Sequence, residues 1–166
     1  MKKLYVHSFK TKLGTVRTAA TEKGITIISL PGESRQYFEG QIEKRFADYF
    51  IYQGGLLNRK AETQIKKFID GKLKKFTLKL DIQGSLFQKK VLKKVAMIPY
   101  GKTMTYGEIA QSVGNPLACR AVGTANAKNK LPLVIPCHRV VASNGLGGFG
   151  GGMSLKKKLL KMEGAL

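Results

Sequence analysis

The sequence predicts an α+β protein of two lobes, on three observations. Residues 3 to 30 hold short alternating runs separated by turn-prone segments, a β-meander pattern. The stretches that follow space their apolar residues three and four apart, as buried helix faces do. Within the second half, two short helical runs meet at a Gly-Asn pair, the pattern of a helix-turn-helix. With 166 residues the chain is long enough to bury a real core, and the lobe boundary is expected near residues 79 to 84, giving lobes 1–80 and 81–166.

Taken in order, "KLYVHSF", "GTVRTAA" and "GITIISL" read as strands of a small antiparallel sheet, with "KTKLG" and "TEKG" as the turns. "EGQIEKRFADYF" then reads as a helix with Ile42, Phe46, Tyr49 and Phe50 on one face. A second helix, "AETQIKKFIDG", offers Ile65, Phe68 and Ile69 before Gly71 stops it. "KFTLKLDI" alternates again and is expected to leave the lobe as a strand.

The second half is mainly helical. Ser85 is placed to cap a helix bearing Phe87, Val91, Leu92 and Val95, which ends before Pro99 and turns at "PYGK". "TYGEIAQSVGNPLACRAVGTANAKN" gives a helix carrying Ile109, Ala110 and Val113, then a Gly-Asn turn. A second helix is expected from near Pro116, burying Leu117, Ala121, Val122 and Ala125. An ordinary helical hairpin has the same pattern, so DNA binding does not follow from it alone. Ser154 is expected to cap a last helix with Leu155, Leu159 and Leu160 inside and Lys156, Lys157, Lys158 and Lys161 outside.

Lys and Arg number 30 against 10 Asp and Glu, a formal charge of +20. Residues 1–80 carry 17 basic and 7 acidic side chains and residues 81–166 carry 13 and 3, so both halves are basic and neither is merely a charged tail. Such an excess points to a polyanion, because neutralised phosphates release counterions. A solvated lysine-rich surface or an anionic membrane surface would also accommodate it. No run approaches the ~18 apolar residues of a membrane span, and His7 and Lys10 interrupt the start "MKKLYVHSFKTK" before a signal-like core develops. A soluble, cytoplasmic protein is expected. Cys119 and Cys137 are the only cysteines, too few for a disulfide framework, and with two dispersed histidines they make no zinc set. No metal is expected.

The segment "LPLVIPCHRVVASNGLGGFGGG" carries the chemistry. Most free cysteines are small core residues. Here Pro136 stiffens the approach and restricts Ile135, while His138 and Arg139 follow Cys137 directly. A thiol with an ordinary pKa near 8.5 is only a few per cent thiolate at neutral pH and needs a base or cation beside it. Neighbours on an extended chain face opposite ways, so His138 would reach the thiol through water or around a sharp turn. From residue 81 onward the carboxylates that could orient the imidazole are Asp81, Glu108 and Glu163. Glu163 follows the apolar face of the last helix, where it either returns against the Cys segment or lies exposed.

"IPCHRVV", preceded by Asn129 and followed by the glycine loop, resembles the active-site signature of the O6-alkylguanine-DNA alkyltransferase family. The likeness runs through "YGKTMTYGEIAQSVGNPLACRAVG" to "LLKMEG", over residues 85–166. It implies an N-terminal ribonuclease-H-like lobe of structural role and a C-terminal winged-helix-like lobe that binds double-stranded DNA as a monomer. The implied activity is direct repair: irreversible, single-turnover transfer of the alkyl group from O6-alkylguanine, and from O4-alkylthymine, to Cys137. His138 would be the base, acting through water, with Glu163 orienting it and Asn129 bracing the turn. Tyr106 would help rotate the nucleotide and Arg120 would fill the gap in the stack, unless Arg120 is a simple phosphate contact. Arg139, Phe149 and Gly150 complete the expected DNA-contacting set. No cofactor is implied, since guanine is the leaving group and the protein the acceptor. Gly150 stands where the family often has serine and Phe149 where it has tyrosine, which bears on the alkyl sizes accepted. Three other readings fit parts of the sequence. A damage sensor would lack the acceptor cysteine, a winged-helix regulator leaves "PCHR" unexplained, and a cysteine hydrolase would turn over repeatedly.

Overall fold

The computed structural model describes residues 1–166, which divide into two compact units, Met1–Ile82 and Gln83–Leu166. The first unit opens with strands β1 (Lys3–Thr11), β2 (Gly14–Thr21) and β3 (Gly24–Ile28), then helix α1 (Arg35–Phe46), strand β4 (Phe50–Gln53) and helix α2 (Leu56–Ile69). The strands lie in the order β3-β2-β1-β4. β1–β2 and β2–β3 pair antiparallel, but β4 runs parallel to β1, so the sheet is mixed rather than antiparallel throughout. Alternation along the strands puts Leu4, Val6, Ala19 and Ile27 on one face, where Phe38, Ile42 and Phe46 of α1 cover them. Each such aliphatic side chain contributes roughly 1.5–3 kcal/mol of burial. On the other face Asn58 of α2 accepts from Thr18 Oγ1 at 2.8 Å and donates to the Tyr5 carbonyl at 2.9 Å.

Three local expectations are corrected here. Helix α1 begins earlier, because Ser34 caps it by accepting from the Tyr37 amide, and it stops at Phe46, so Phe50 lies in β4 and is exposed. Helix α2 starts five residues before Ala61. "KFTLKLDI" forms no strand: only Leu80 bridges to Ile25, with Asp81 donating its amide to the Ile25 carbonyl at 2.8 Å.

The second unit comprises α3 (Leu86–Val95), β5 (Met104–Thr105), α4 (Tyr106–Ser112), α5 (Cys119–Ala127), β6 (Val140–Val141) and α6 (Met153–Met162). Ser85 caps α3, and Thr105 and Glu108 form a reciprocal capping box on α4. α5 packs against both α3 and α4, and β5 pairs parallel with β6. α5 begins at Cys119 rather than near Pro116, which leaves Leu117 and Ala121 exposed while Val122 and Ala125 are buried. Ser154 does not cap α6, whose first turn starts after Gly152. No helix is long and apolar enough to cross a membrane.

Candidate active site

The chain approaches Cys137 through two tight bends. Leu133 adopts a left-handed conformation (φ 72°) although it is 1 % exposed and not glycine, a strained position that the surrounding packing must hold. Pro136 then sits at φ −80°, ψ 68°, and the Cys137 amide donates to the Ile135 carbonyl at 2.8 Å, closing an inverse γ-turn. Cys137–Arg139 form one turn of 3₁₀ helix in place of an extended strand. Asn129 braces this path from both ends of its amide: Oδ1 accepts from the Leu131 amide and Nδ2 donates to the Ile135 carbonyl, each at 2.9 Å. Asn126 of α5 donates to the Cys137 carbonyl at 3.4 Å.

The two residues that follow Cys137 enter a buried ion-pair network. His138 Nε2 meets Glu163 Oε2 at 2.7 Å, with both side chains wholly buried. Arg139 donates Nε to Glu163 Oε1 at 2.7 Å and Nη2 to Oε2 at 2.9 Å, and its Nη1 reaches the Ile98 carbonyl at 2.7 Å. Burial opposes the Glu163 charge, but the hydrogen bonds from His138 and Arg139 prevail and bring its carboxyl down to about 2. Burial pushes His138 below its ordinary range against the pull of Glu163, so at neutral pH the ring is uncharged. A neutral ring facing a carboxylate at Nε2 carries its proton there, which makes Nδ1 the nitrogen that takes up a proton. Burial raises the Cys137 thiol above its ordinary value, with the Asn129 side chain pulling the other way, so the resting sulfur is protonated.

These residues lie in a part of the chain, residues 86–165, that matches the model of the 6-O-methylguanine DNA methyltransferase DNA-binding domain. A methylated-DNA–protein-cysteine methyltransferase of Methanosarcina acetivorans is 37% identical over 98% of this chain and 99% of its own length. The chain belongs to the methylated-DNA–protein-cysteine methyltransferase family. A crystal structure of the Mycobacterium tuberculosis O6-methylguanine methyltransferase superposes with a TM-score of 0.81 at 31% identity, covering 98% of this chain and 93% of that one. The same protein in complex with DNA aligns with a TM-score of 0.81 at 32% identity over 97% of this chain and 93% of the other.

Arg139, expected among the DNA-contacting residues, is 6 % exposed and turned inward, with three of its N–H donors on Glu163 and the Ile98 carbonyl. Arg120, by contrast, is exposed at the second position of α5. Tyr106 opens α4 and faces the glycine loop closely enough that a methyl on Gly147 would stand 3.0 Å from its hydroxyl. Phe149 is half-buried and Gly150 exposed in that loop.

Two residues escaped the sequence reading. Lys156, expected outside, is wholly buried and donates to the carbonyls of Val140 at 2.7 Å and Gly148 at 3.0 Å, tying the glycine loop to the strand that follows Cys137. Burial lowers its ammonium to about 8, with the nearby Cys137 pulling upward. The spacing held the signal, since 156, 159, 160 and 163 fall on one helix face. Asn126 is the other, 7 % exposed on the buried side of α5.

Proposed function

We propose that this protein repairs alkylated DNA by taking the alkyl group of O6-alkylguanine onto Cys137. The carrying observation is the buried Cys137–His138–Glu163–Arg139 cluster in a chain of this family. Cys137 Sγ attacks the alkyl carbon, a C–S bond forms, and the C–O6 bond breaks. The thiol proton passes to His138 Nδ1, by way of a water, and on to the departing guanine, which leaves neutral. Glu163 stabilises the transient imidazolium, and Arg139 keeps Glu163 ionised and oriented. Because the resting thiol is protonated and buried, it is protected until a lesion occupies the site. The thioether is stable and no group in the chain reverses it, so each molecule acts once.

Arg120 on α5 fills the vacated stack and Tyr106 crowds the extruded nucleotide against the glycine loop, where Phe149 and Gly150 line the approach. The order β3-β2-β1-β4, with α1 carrying the chain to a strand parallel to β1, supports a ribonuclease-H-like reading of residues 1–80. The α3–α5 cluster with the β5–β6 pair supports a winged-helix-like reading of residues 81–166. The first lobe is structural, and the protein works as a cytoplasmic monomer.

Intact-protein mass spectrometry after incubation with a duplex holding one O6-methylguanine tests the reading. One added methylene per molecule, mapped to the Cys137 peptide, is expected. Lesion-selective binding with no mass change would leave a damage sensor.

A further inference from the structure

We propose that the first unit carries a phosphate-binding surface of its own, formed by α2 and the segment that returns along it, which holds duplex DNA whether or not a lesion is present. This adds a role to the structural one of that lobe. It rests on the DNA-repair reading for its partner and on nothing at Cys137. Residues 59–79 carry eight basic and two acidic side chains, against nine and six over the rest of Met1–Ile82. Both acids are already engaged: Glu62 meets His7 at 3.0 Å and Lys66 at 2.9 Å, and Asp70 meets Lys12 at 3.8 Å. Lys60, Lys67, Lys72, Lys75 and Lys79 are exposed and have no ion pair. Like charges gathered in this way repel one another in the folded state, and a polyanion laid across them relieves the repulsion.

These lysines do not hang on a loose tail. After Gly71 the chain turns back along α2, with the Lys72 and Leu73 amides both donating to the Lys67 carbonyl, at 2.8 and 3.2 Å. Gln64 clamps Thr77 with both ends of its amide: Oε1 accepts from the Thr77 amide at 2.9 Å and Nε2 donates to Thr77 Oγ1 at 2.8 Å. Phe76 packs on Phe68 with ring centroids 5.2 Å apart, and the Lys79 carbonyl accepts from the Ile25 amide at 2.8 Å. Exposure alternates from 75 to 80, so Lys75, Thr77 and Lys79 face outward while Phe76, Leu78 and Leu80 are half-buried. On α2, Lys60 and Lys67 stand four positions before and three after Gln64, on the same side of the helix. The clamp therefore sets two lysine pairs side by side, with backbones about 10 Å apart along the helix and about 13 Å apart along the returning segment. Either spacing spans roughly three to four nucleotides of a duplex strand. Backbone contacts need no pocket, only cations held at such intervals, and they carry no sequence information. DNA is the polyanion this protein must meet, since its family acts on methylated DNA. A grip that ignores the lesion keeps the protein on the duplex between lesions.

The test measures the affinity of the full-length protein for an undamaged duplex by fluorescence anisotropy, between about 50 and 200 mM salt. Three double variants each remove two charges. Lys75→Gln with Lys79→Gln and Lys60→Gln with Lys67→Gln strip the patch, and Lys10→Gln with Lys44→Gln removes exposed charge elsewhere on the same unit. Each patch pair is expected to bind about fivefold more weakly at about 100 mM salt and to flatten the salt slope by about one phosphate contact. The third pair should change affinity less than about twofold, since it removes no contact. Methyl transfer to Cys137 from a saturating O6-methylguanine duplex should keep its native rate in all three. Native affinity in both patch pairs would overturn the proposal, and so would an equal loss in the third pair, which would reduce the effect to net charge. Native duplex affinity with weakened binding to phosphatidylserine vesicles would also overturn it and assign the patch to a membrane surface. A native protein that binds duplex through the patch but transfers no methyl would overturn the reading of Cys137 alone.

Discussion

Arg139 grips Glu163 with two parallel hydrogen bonds, Nε to Oε1 at 2.7 Å and Nη2 to Oε2 at 2.9 Å, while the same carboxylate holds His138. One carboxylate thus serves two neighbours in sequence, and the fork geometry of the guanidinium fixes the plane in which it meets the imidazole. Glu163→Gln removes the charge and leaves Arg139 buried without a counter-ion. The variant should be about 3–5 kcal/mol less stable, and its folded fraction should transfer methyl roughly 100-fold more slowly, the low end for a general-base system. Denaturant titration and single-turnover kinetics check the two effects separately.

The same cluster sets the acid response. His138 has a folded pKa below its unfolded one, so its contribution is present above the ordinary value of 6.5 and fades as pH falls below it. Glu163 is held at about 2 against an ordinary 4.5, so its contribution is present above 4.5 and is lost as pH falls from there to 2. The Glu163 part is worth on the order of 3 kcal/mol. Urea midpoints measured from pH 7 to pH 3 should fall in two stages. Glu163→Gln should lack the second, and a single stage in the native protein would count against the ionised pair.

Legibility followed locality. The start of α3 was readable because its cap, Ser85, and its stop, Pro99, lie within the segment itself. β4 was not, because Phe50 continues the spacing of the preceding helix and the strand exists only through its pairing with β1, some 47 positions away in sequence at Lys3↔Phe50. "KFTLKLDI" alternates like a strand but gains only the one bridge at Leu80, so its pattern had no sheet to join. At the site, the proximity of Cys137 and His138 was legible, and so was the candidacy of Glu163. What was not legible is which charges turn inward. Arg139 and Lys156 look like surface cations in the sequence and are drawn inside by a carboxylate and by carbonyls that only the tertiary fold brings near.

Lys156→Met keeps most of the buried volume but leaves the Val140 and Gly148 carbonyls without their donor. Replacing a buried charge by an apolar side chain is often neutral for stability, so the global cost should stay within about 2 kcal/mol. The local effect should be larger. Amides at 147–152 should exchange faster with deuterium, and transfer should slow about tenfold as the loop ceases to hold one geometry. A slowed reaction with unchanged exchange would assign Lys156 to the chemistry instead.

Gly147 and Gly148 offer a matched pair. Gly147 has φ 71°, and a methyl there would lie 3.0 Å from the Tyr106 hydroxyl and 3.2 Å from the Ala142 amide nitrogen. Gly147→Ala should therefore cost about 1 kcal/mol in backbone strain and displace Tyr106, slowing lesion capture while leaving affinity for undamaged duplex unchanged. Gly148→Ala meets nothing within 4 Å and should behave as the native protein in both assays. Similar slowing by the two would mean that loop flexibility, and not the position of Tyr106, limits the reaction.

Binding and extrusion separate through salt and Arg120. From residue 83 onward the only acidic side chains are Glu108 and Glu163, one in a capping box and the other inside the cluster, so the surface of that unit is almost unipolar. Duplex affinity should fall roughly 100-fold between 50 and 200 mM salt, the slope of about four phosphate contacts. Arg120→Ala should reduce that slope by about one contact or less. It should slow transfer from a paired O6-methylguanine 10- to 100-fold, because the few kcal/mol of unstacking would no longer be offset by a side chain in the gap. The free methylated base needs no extrusion, so its reaction with Cys137 should proceed at the native rate. Equal slowing with both substrates would place Arg120 in the pocket, and a lost phosphate contact with no change in saturated rate would reduce it to a charge on the surface of α5.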